Sequence, residues 1–434
     1  MWRSAHTIKL GAEYEANAFS GESQGSWVTR ISDSLYEWGY VPLTFHLKNQ
    51  VPTLYAQDAW EATPRLRLSA GLRWESQHLS GRSGPARTVA MEFAPRLGVV
   101  FQPGEPGAAR ISASAGRFYE QVPPLAEIFW NSEGYELVRD FPQNPLVDSS
   151  NGVVKVRFDA TVPATPDLLG QFYDQLSIGY ERRVGTAHKL GARGTYRILR
   201  WVIEDGAAPG DSVYRMGNPG RGALAAMPRA RQRYAALELS VERATPGPLY
   251  LLASYVLSRN VGNYTGLHAT DLGLQLPNSG PQYDVPDEMT NAYGLLPNDR
   301  THVVKAAASY RFGAGVTLGG FLTIASGTPL SEYGTSVGGG GYWTFVRPRG
   351  SAGRTPTIWS LDVHGAYDLP VVRGGRVRPR FLIDVFNVGS PRRPVLYDQR
   401  HYLDAAGTSV NSNYLAVTNY QPPMSARVGM VVDF

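Results

Sequence analysis

The sequence predicts an all-β protein, an antiparallel transmembrane β-barrel with about fourteen strands in this chain. Three observations predict it. Apolar and polar residues alternate with a period of two in segment after segment. The links between those segments alternate between short and long. The last segment is an apolar stripe that ends on an aromatic residue.

A period of two marks a strand, because successive side chains point to opposite sides of a sheet. In order along the chain, Ile8, Leu10, Ala12 and Tyr14 alternate with Thr7, Lys9, Gly11 and Glu13. Leu66, Leu68, Ala70, Leu72 and Trp74 oppose Arg65, Arg67, Ser69, Gly71 and Arg73. Phe93, Pro95, Leu97, Val99 and Phe101 follow, then Leu176, Ile178 and Tyr180, then Trp359, Leu361, Val363, Gly365, Tyr367 and Leu369. Such segments lie near 6–15, 52–60, 65–76, 92–101, 109–118, 172–182, 188–202, 230–243, 248–259, 300–312, 315–326, 356–368, 375–388 and 423–434. Their lengths suit a tilted membrane strand of about 9–11 residues better than a globular strand of about 5–6.

The links sort by parity. Ala62-Thr63-Pro64, Pro103–Ala109, Val184–Ala187, Thr245-Pro246-Gly247, Gly313-Ala314-Gly315 and Pro370–Gly375 are short and rich in Gly or Pro, as hairpin turns require. The alternate links, near 77–91, 119–171, 203–229, 260–299, 327–355 and 389–422, are long. Outer-membrane barrels have this asymmetry, with periplasmic turns at one rim and extracellular loops at the other. By that count the last strand descends to the periplasm.

The apolar face of each segment then meets lipid, and the polar face lines a wet lumen; Arg376, Arg378 and Arg380 stand opposite Val377, Phe381 and Ile383. Lipid cannot satisfy an open sheet edge, so a closed cylinder is expected, and fourteen strands is an even number able to close. Trp60, Trp74, Tyr180, Tyr310, Phe312 and Tyr367 lie near segment ends, where interfacial aromatic girdles form. Ala426, Val428, Met430, Val432 and Phe434 make the terminal stripe, which resembles the signal by which the barrel-assembly machinery recognises a last strand.

Composition excludes several alternatives. There is no cysteine, so disulfides, thiolate metal sites and thiol nucleophiles are absent. With 47 Gly and 31 Pro in 434 residues, the chain falls below the roughly 25–30% that marks low complexity. No run of about 18 uncharged apolar residues offers a spanning helix, and Met1–His6 does not lead into the apolar stretch of a signal peptide. The net charge is +5, but arginine is spread over the polar slots of many segments rather than gathered on one face. That distribution predicts a charged lumen and contact with outer-membrane lipid and anionic lipopolysaccharide, and no nucleic acid.

Several motifs in order strengthen the assignment. Tyr55-Ala56-Gln57-Asp58-Ala59-Trp60, Gly71-Leu72-Arg73-Trp74-Glu75, Phe93-Ala94-Pro95-Arg96-Leu97-Gly98 and Ala115-Gly116-Arg117-Phe118-Tyr119 come first. Asp299-Arg300-Thr301-His302, Ser326-Gly327-Thr328-Pro329-Leu330, Gly353-Arg354-Thr355-Pro356, Ser360-Leu361-Asp362 and Asp384-Val385-Phe386-Asn387 follow. Together they resemble the barrel of TonB-dependent receptors, most closely the Oar-like branch. The resemblance implies an outer-membrane location, a 22-stranded barrel, an N-terminal plug, and import of a scarce substrate driven by proton-motive force through TonB. Residues 1–434 are then a partial barrel domain from the C-terminal part of a longer product, without signal peptide or plug, and TonB acts only through a plug absent from this chain. The alternative is a plugless passive channel or a surface adhesin.

Enzymatic readings are weak. Gly21-Glu22-Ser23-Gln24-Gly25 fits a nucleophile elbow in letters but lacks the strand-to-helix setting, and His302 and His364 occupy lumen or rim slots. Gly338–Gly341 lacks the Lys-Ser/Thr of a phosphate loop and reads as a flexible extracellular loop. Glu127, Glu133, Glu136 and Asp140, and Asp284, Asp287 and Glu288, have no calcium-loop spacing and read as solvated loop charge. No catalytic residue, metal or cofactor is expected. If the chain transports, ligand recognition falls to loop residues with dense aromatics: Tyr119, Phe129, Trp130, Tyr135, Tyr264, Tyr283, Tyr293, Tyr342 and Trp343. Such rings suit an oligosaccharide, a peptide or a chelated metal.

Overall fold

A computed structural model describes residues 5–434 except 33, 82–85, 123–131, 160–163, 208–213, 244–246, 267–268, 273–282, 336–342, 371–376, 390–391 and 405. One antiparallel sheet of seventeen strands dominates the described residues. Fourteen of these form a continuous wall: β1 Ala5–Ser32, β2 Leu35–Thr63, β3 Leu66–Ser80, β4 Arg87–Phe101, β5 Ala109–Tyr119, β6 Phe172–Val184, β7 His188–Arg200, β8 Gln232–Arg243, β9 Leu249–Gly262, β10 His302–Arg311, β11 Val316–Ala325, β12 Ile358–Asp368, β13 Arg378–Phe386 and β14 Ser425–Asp433. Each pairs with the next in chain order. The other three strands, Ser132–Phe141, Val153–Asp159 and Gly294–Leu295, sit at the outer end. Every wall strand overlaps one segment with period-two alternation.

The two faces differ as the alternation requires. On the convex side Ile8, Leu10, Leu97, Ile178 and Val428 stand exposed, the last at 73%, as expected of a surface solvated by lipid rather than water. On the concave side polar and charged groups pair: Arg73 with Glu75 on its own strand (2.8 Å) and, across strands, Arg73 with Glu13 (3.4 Å), Lys189 with Glu181 and Glu242 (3.6 Å each), and Asp384 with His364 (2.6 Å) and Arg427 (2.7 Å). Trp60, Tyr180, Tyr310, Phe312 and Tyr367 lie on or beside the outward face towards the hairpin-turn end, where Tyr310 and Phe312 meet edge to face at 4.7 Å. At that end Gly185 (φ +62°) and Gly315 (φ +79°) take left-handed turn positions, and a Cβ on Gly315 would press to 3.1 Å from the Asp368 carbonyl oxygen.

Three features depart from the sequence expectation. First, β1 and β2 span 28 and 29 residues, far beyond 6–15 and 52–60. Their ladder runs from Ala5↔Glu61 to Arg30↔Tyr36, and the outer part of β2 pairs with Ser132–Phe141. At about 3.3 Å per residue the hairpin rises well beyond a hydrocarbon layer of about 30 Å; there β1 is largely exposed, while β2 buries Phe45, Leu47 and Val51 on one face. Second, the link expected over 77–91 is mostly strand and shrinks to 81–86; an irregularity between Glu75 and Gln77, with Met91 at φ +66°, lets β3 and β4 continue. Third, the wall does not close on itself: among the described residues β1 pairs with β2 alone and β14 with β13 alone. Fourteen strands here form an arc with two free edges, not a sealed cylinder.

The buried apolar clusters all lie at the outer end. One joins Leu79, Val89, Val122, Ala164, Leu168, Ile203 and Met216; a second is built on Leu199, Leu224, Met227, Tyr264 and Tyr283; a third holds Ala292, Tyr333 and Phe345; Phe45 and Leu47 make a small fourth. Polar bonds knit the same region, as where Gln77 donates to Glu92 (3.0 Å) and accepts from the Val122 amide (2.8 Å). The loops thus form a packed cap on the wall.

Candidate functional site

One part of the cap is held together by contacts among the links 263–301, 326–357 and 387–424. Tyr333 is fully buried, packs on Phe345 at 4.8 Å, and donates its hydroxyl to Asp271. The Gln399 amide donates to the Asp271 carbonyl (3.0 Å), and its side-chain oxygen accepts from the Ser331 amide (2.6 Å). Burial, with the Asp271 carboxylate alongside, pushes the Tyr333 hydroxyl well above its usual range. Arg349, also buried, donates to the Ala292 carbonyl (2.7 Å) and lies over the Phe345 ring at 4.3 Å. The motif residues converge at the rim below. Arg354 pairs with Asp299 and donates to the Gly327 carbonyl (2.8 Å), while the Thr328 amide donates to Thr355 Oγ1 (2.9 Å). Gly327 is required there, since a Cβ would lie 1.5 Å from the Thr355 carbonyl oxygen. Likewise Asp362 accepts from the Asn387 amide at 2.8 Å, with Asn387 at φ +52°.

An aromatic and charged surface is built on this frame. The His401 ring stacks between Tyr402 and Tyr414, 4.1 Å from each, and its Nδ1 lies 2.7 Å from Glu332. Glu332 is buried, which opposes ionisation, but hydrogen bonds from His401 and Arg347 outweigh that and hold its carboxyl below the usual range. Arg400 bonds both oxygens of Asp398 (2.8 and 2.7 Å), which lowers the Asp398 carboxyl further, and its guanidinium sits 5.6 Å from the Trp343 ring. Aromatic faces beside fixed guanidinium groups suit planar or hydroxylated ligands with partial negative charge.

The predicted ligand residues are not gathered in one place. Tyr264 and Tyr283 are buried together, ring centroids 6.5 Å apart, as core of the cap. Trp343 lies at the aromatic surface beside Arg400, and Tyr293 stands 49% exposed on the same link as Asp299. Tyr119 is half-buried against Phe172 (5.1 Å) at the top of β5, and Tyr135 lies on Ser132–Phe141 beside β2. Phe129, Trp130 and Tyr342 lie outside the described residues, as do Glu127 and Gly338–Gly341. Sequence reasoning missed Glu332, Arg400, His401, Tyr402 and Tyr414, whose only local signal was a dense aromatic and charged stretch. Of the terminal stripe, Ala426, Val428, Met430 and Val432 share the outward face of β14, with Phe434 exposed beyond its last pair.

One sequence expectation needs correction. Asp284 and Glu288 are not solvated loop charge. Glu288 is fully buried and accepts from the Val285 amide (3.3 Å); burial raises its carboxyl to about 8, and burial with Asp205 nearby raises Asp284 well above its usual range. Glu204, buried close by, is raised in the same way. Burial thus favours the neutral form of each, and among the described residues no cluster of three or more His, Asp or Glu side chains is arranged to hold a metal. Gly21–Gly25 in turn is continuous strand paired with Val41–Phe45, so no nucleophile elbow forms.

Wall, sorted links and cap define a large outer-membrane β-barrel architecture. A profile of the TonB dependent receptor-like β-barrel matches residues 2–388, so the chain belongs to that family and resides in the outer membrane. It is 29% identical over 377 residues to the TonB-dependent transporter Oar of Myxococcus xanthus, covering 77% of this chain and 35% of that protein. Its fold is similar to the FrpB iron transporter of Neisseria meningitidis (TM-score 0.53, 10% identity, 97% of this chain and 55% of that one). It is equally similar to the siderophore receptor PiuA of Acinetobacter baumannii (TM-score 0.53, 12% identity, 97% and 56%). The chain therefore spans little more than half the length of these solved structures, and about a third of its curated relative. It is a barrel portion of a TonB-dependent receptor of the Oar-like branch.

Proposed function

We propose that this chain is the wall and outer vestibule of an importer that captures a scarce oligosaccharide, peptide or chelated metal at its extracellular loops. The observation that carries the reading is the segregation of the molecule. Every wide excursion lies opposite the hairpin turns, and three of them lock together to present Trp343, Arg400, Tyr402 and Tyr414. In this reading further strands of the same polypeptide meet the free edges of β1 and β14, because lipid satisfies no open edge. A plug carried elsewhere in that polypeptide contacts TonB. The outward stripe ending at Phe434 serves recognition by the barrel-assembly machinery, and the outer rim contacts lipopolysaccharide.

The test uses the intact polypeptide in its own cell. Deletion abolishes growth on one scarce nutrient, and the wild-type gene restores it only while the inner membrane is energised. The W343A/R400A variant reaches the surface normally but takes up that nutrient about ten-fold or more slowly, as for loss of an aromatic–arginine anchor. Uptake that persists after the proton-motive force is collapsed contradicts the reading and favours a passive channel.

A further inference from the structure

Two links of the cap meet at a junction built of acids. The chain leaving β7 forms a short pair, Glu204–Gly206 with Arg215–Gly217, and abuts residues 283–288 of the link that follows β9. The Ala207 amide donates to the Asp284 carbonyl (2.8 Å), and a Cβ on Gly206 would lie 2.2 Å from the Tyr283 carbonyl oxygen. The charged groups facing Glu204 are Asp205 and Asp284; those facing Asp284 are Asp205 and Glu288; those facing Glu288 are Asp205 and Asp287. No Lys, Arg or His among the described residues lies within ion-pair distance of Glu204, Asp284 or Glu288, and Arg231 and Arg349 act on the Tyr283 hydroxyl instead. Glu288 Oε1 and the Tyr264 hydroxyl, both on side chains more than nine-tenths buried, have no hydrogen-bond partner, and that hydroxyl faces Glu204. Tyr283 is held at φ +77°, a left-handed backbone that is costly for a bulky residue. Unpartnered polar atoms and strained backbone both favour parting of the two links; the apolar cluster of Leu199, Leu224 and Met227 with both tyrosines opposes it.

One turn joins this junction to the aromatic–arginine surface. Pro286–Met289 carries Glu288, and Met289 packs both on the Tyr264–Tyr283 cluster and on the cluster of Ala292, Tyr333 and Phe345, where Trp343 also packs. We propose that Glu204, Asp284 and Glu288 form a proton-operated latch that controls the ligand surface, a control that presupposes the ligand site at Trp343 and Arg400. With the carboxyls neutral, the two links close and Trp343 is held in place. Ionisation sets like charges against one another, parts the links and loosens the surface. Among the described residues these oxygens are not gathered as a metal ion requires, so protons are what neutralises them. Burial raises the Glu288 carboxyl from 4.5 to about 8 and raises Glu204 and Asp284 as well. A group that is raised in the closed form favours closure most at low pH, so the latch opens as pH climbs through about 8.

The test is amide hydrogen exchange of the intact protein in lipid vesicles at about pH 6 and about pH 8.5, corrected for intrinsic exchange rates, which reads the latch without any ligand. In the wild type, protection over 204–207, 284–289 and 343–345 falls about ten-fold or more at the higher pH, while wall segments such as Leu176–Tyr180 keep theirs. E204Q/D284N/E288Q, which fixes neutral side chains at all three positions, keeps its protection at both. Heat-modifiable migration checks folding, and E288Q alone, with a smaller fall than the wild type, replaces the triple variant if that fails to fold. Equal pH dependence in variant and wild type, or wild-type protection that does not change, overturns the latch. Loosening confined to the acid junction, with 343–345 unchanged, overturns its control of the ligand surface. Uptake by W343A/R400A tests the ligand site separately: normal uptake by that variant overturns the site, whatever the junction does with pH.

Discussion

The wall and the cap are made from one chain by opposite means. The wall has almost no interior: its apolar side chains point outward, and its lumen carries cross-strand ion pairs such as Arg73–Glu13 and Lys189 with Glu181 and Glu242. Its order comes from the backbone ladder and from lipid as the apolar solvent. Among the described residues the buried apolar clusters gather in the cap and the strand ends beneath it, together with buried Tyr333, Arg349, Glu204 and Glu288, packed like a small soluble domain. One polypeptide therefore carries two kinds of stability: the wall's depends on the membrane, and the cap's on close packing.

The largest contrast is expected from cavity formation. Leu79, fully buried in the cap, costs about 2–5 kcal/mol when replaced by alanine, read as earlier loss of loop protection in hydrogen exchange. On the wall, neighbouring positions separate lipid from lumen. Ile178→Arg places charge near the bilayer midplane and costs about 2–4 kcal/mol, whereas Ser177→Arg on the lumen face changes stability by about 0.5 kcal/mol or less, both measured by unfolding in vesicles. Tyr333→Phe removes the hydroxyl that serves Asp271 and costs the cap about 1–3 kcal/mol with no change in the wall.

The remaining effect is set by pH. The folded state favours the neutral Glu288 carboxyl, raised to about 8 from 4.5, so its contribution is complete below about 4.5 and is lost as pH climbs through 8. Loop protection should fall over that interval in the wild type and fall less in Glu288→Gln. A cap equally stable at both ends of the range would remove buried neutral acids from the account.

The same division explains how far the sequence was legible. Wall strands such as Leu176–Tyr180 and Trp359–Leu369 declare themselves because lipid on one side and water on the other impose a period of two. Where both sides are wet, as over Glu15–Gln24 in β1, that pressure vanishes and the strand is invisible, although its ladder continues. The cap obeys no period. His401 meets Glu332 across 69 residues and Gln399 meets Asp271 across 128, so partners there are fixed by how loops pack, which local pattern does not encode. Tyr264 and Tyr283 illustrate the limit: composition marked them as loop aromatics, and only packing reveals them as core.

These 434 residues contain no cysteine, so single cysteines introduced into the wall place spin labels at chosen positions without competing sites in the chain. The most direct measurement of the wall is label accessibility at residues 175–180 in reconstituted intact protein, comparing oxygen, which concentrates in lipid, with a water-soluble nickel complex. Labels at 176, 178 and 180 should favour oxygen, and those at 175, 177 and 179 the nickel complex, in strict alternation. Uniform accessibility along the segment, or a repeat nearer four residues, would contradict a strand with lipid on one face and water on the other.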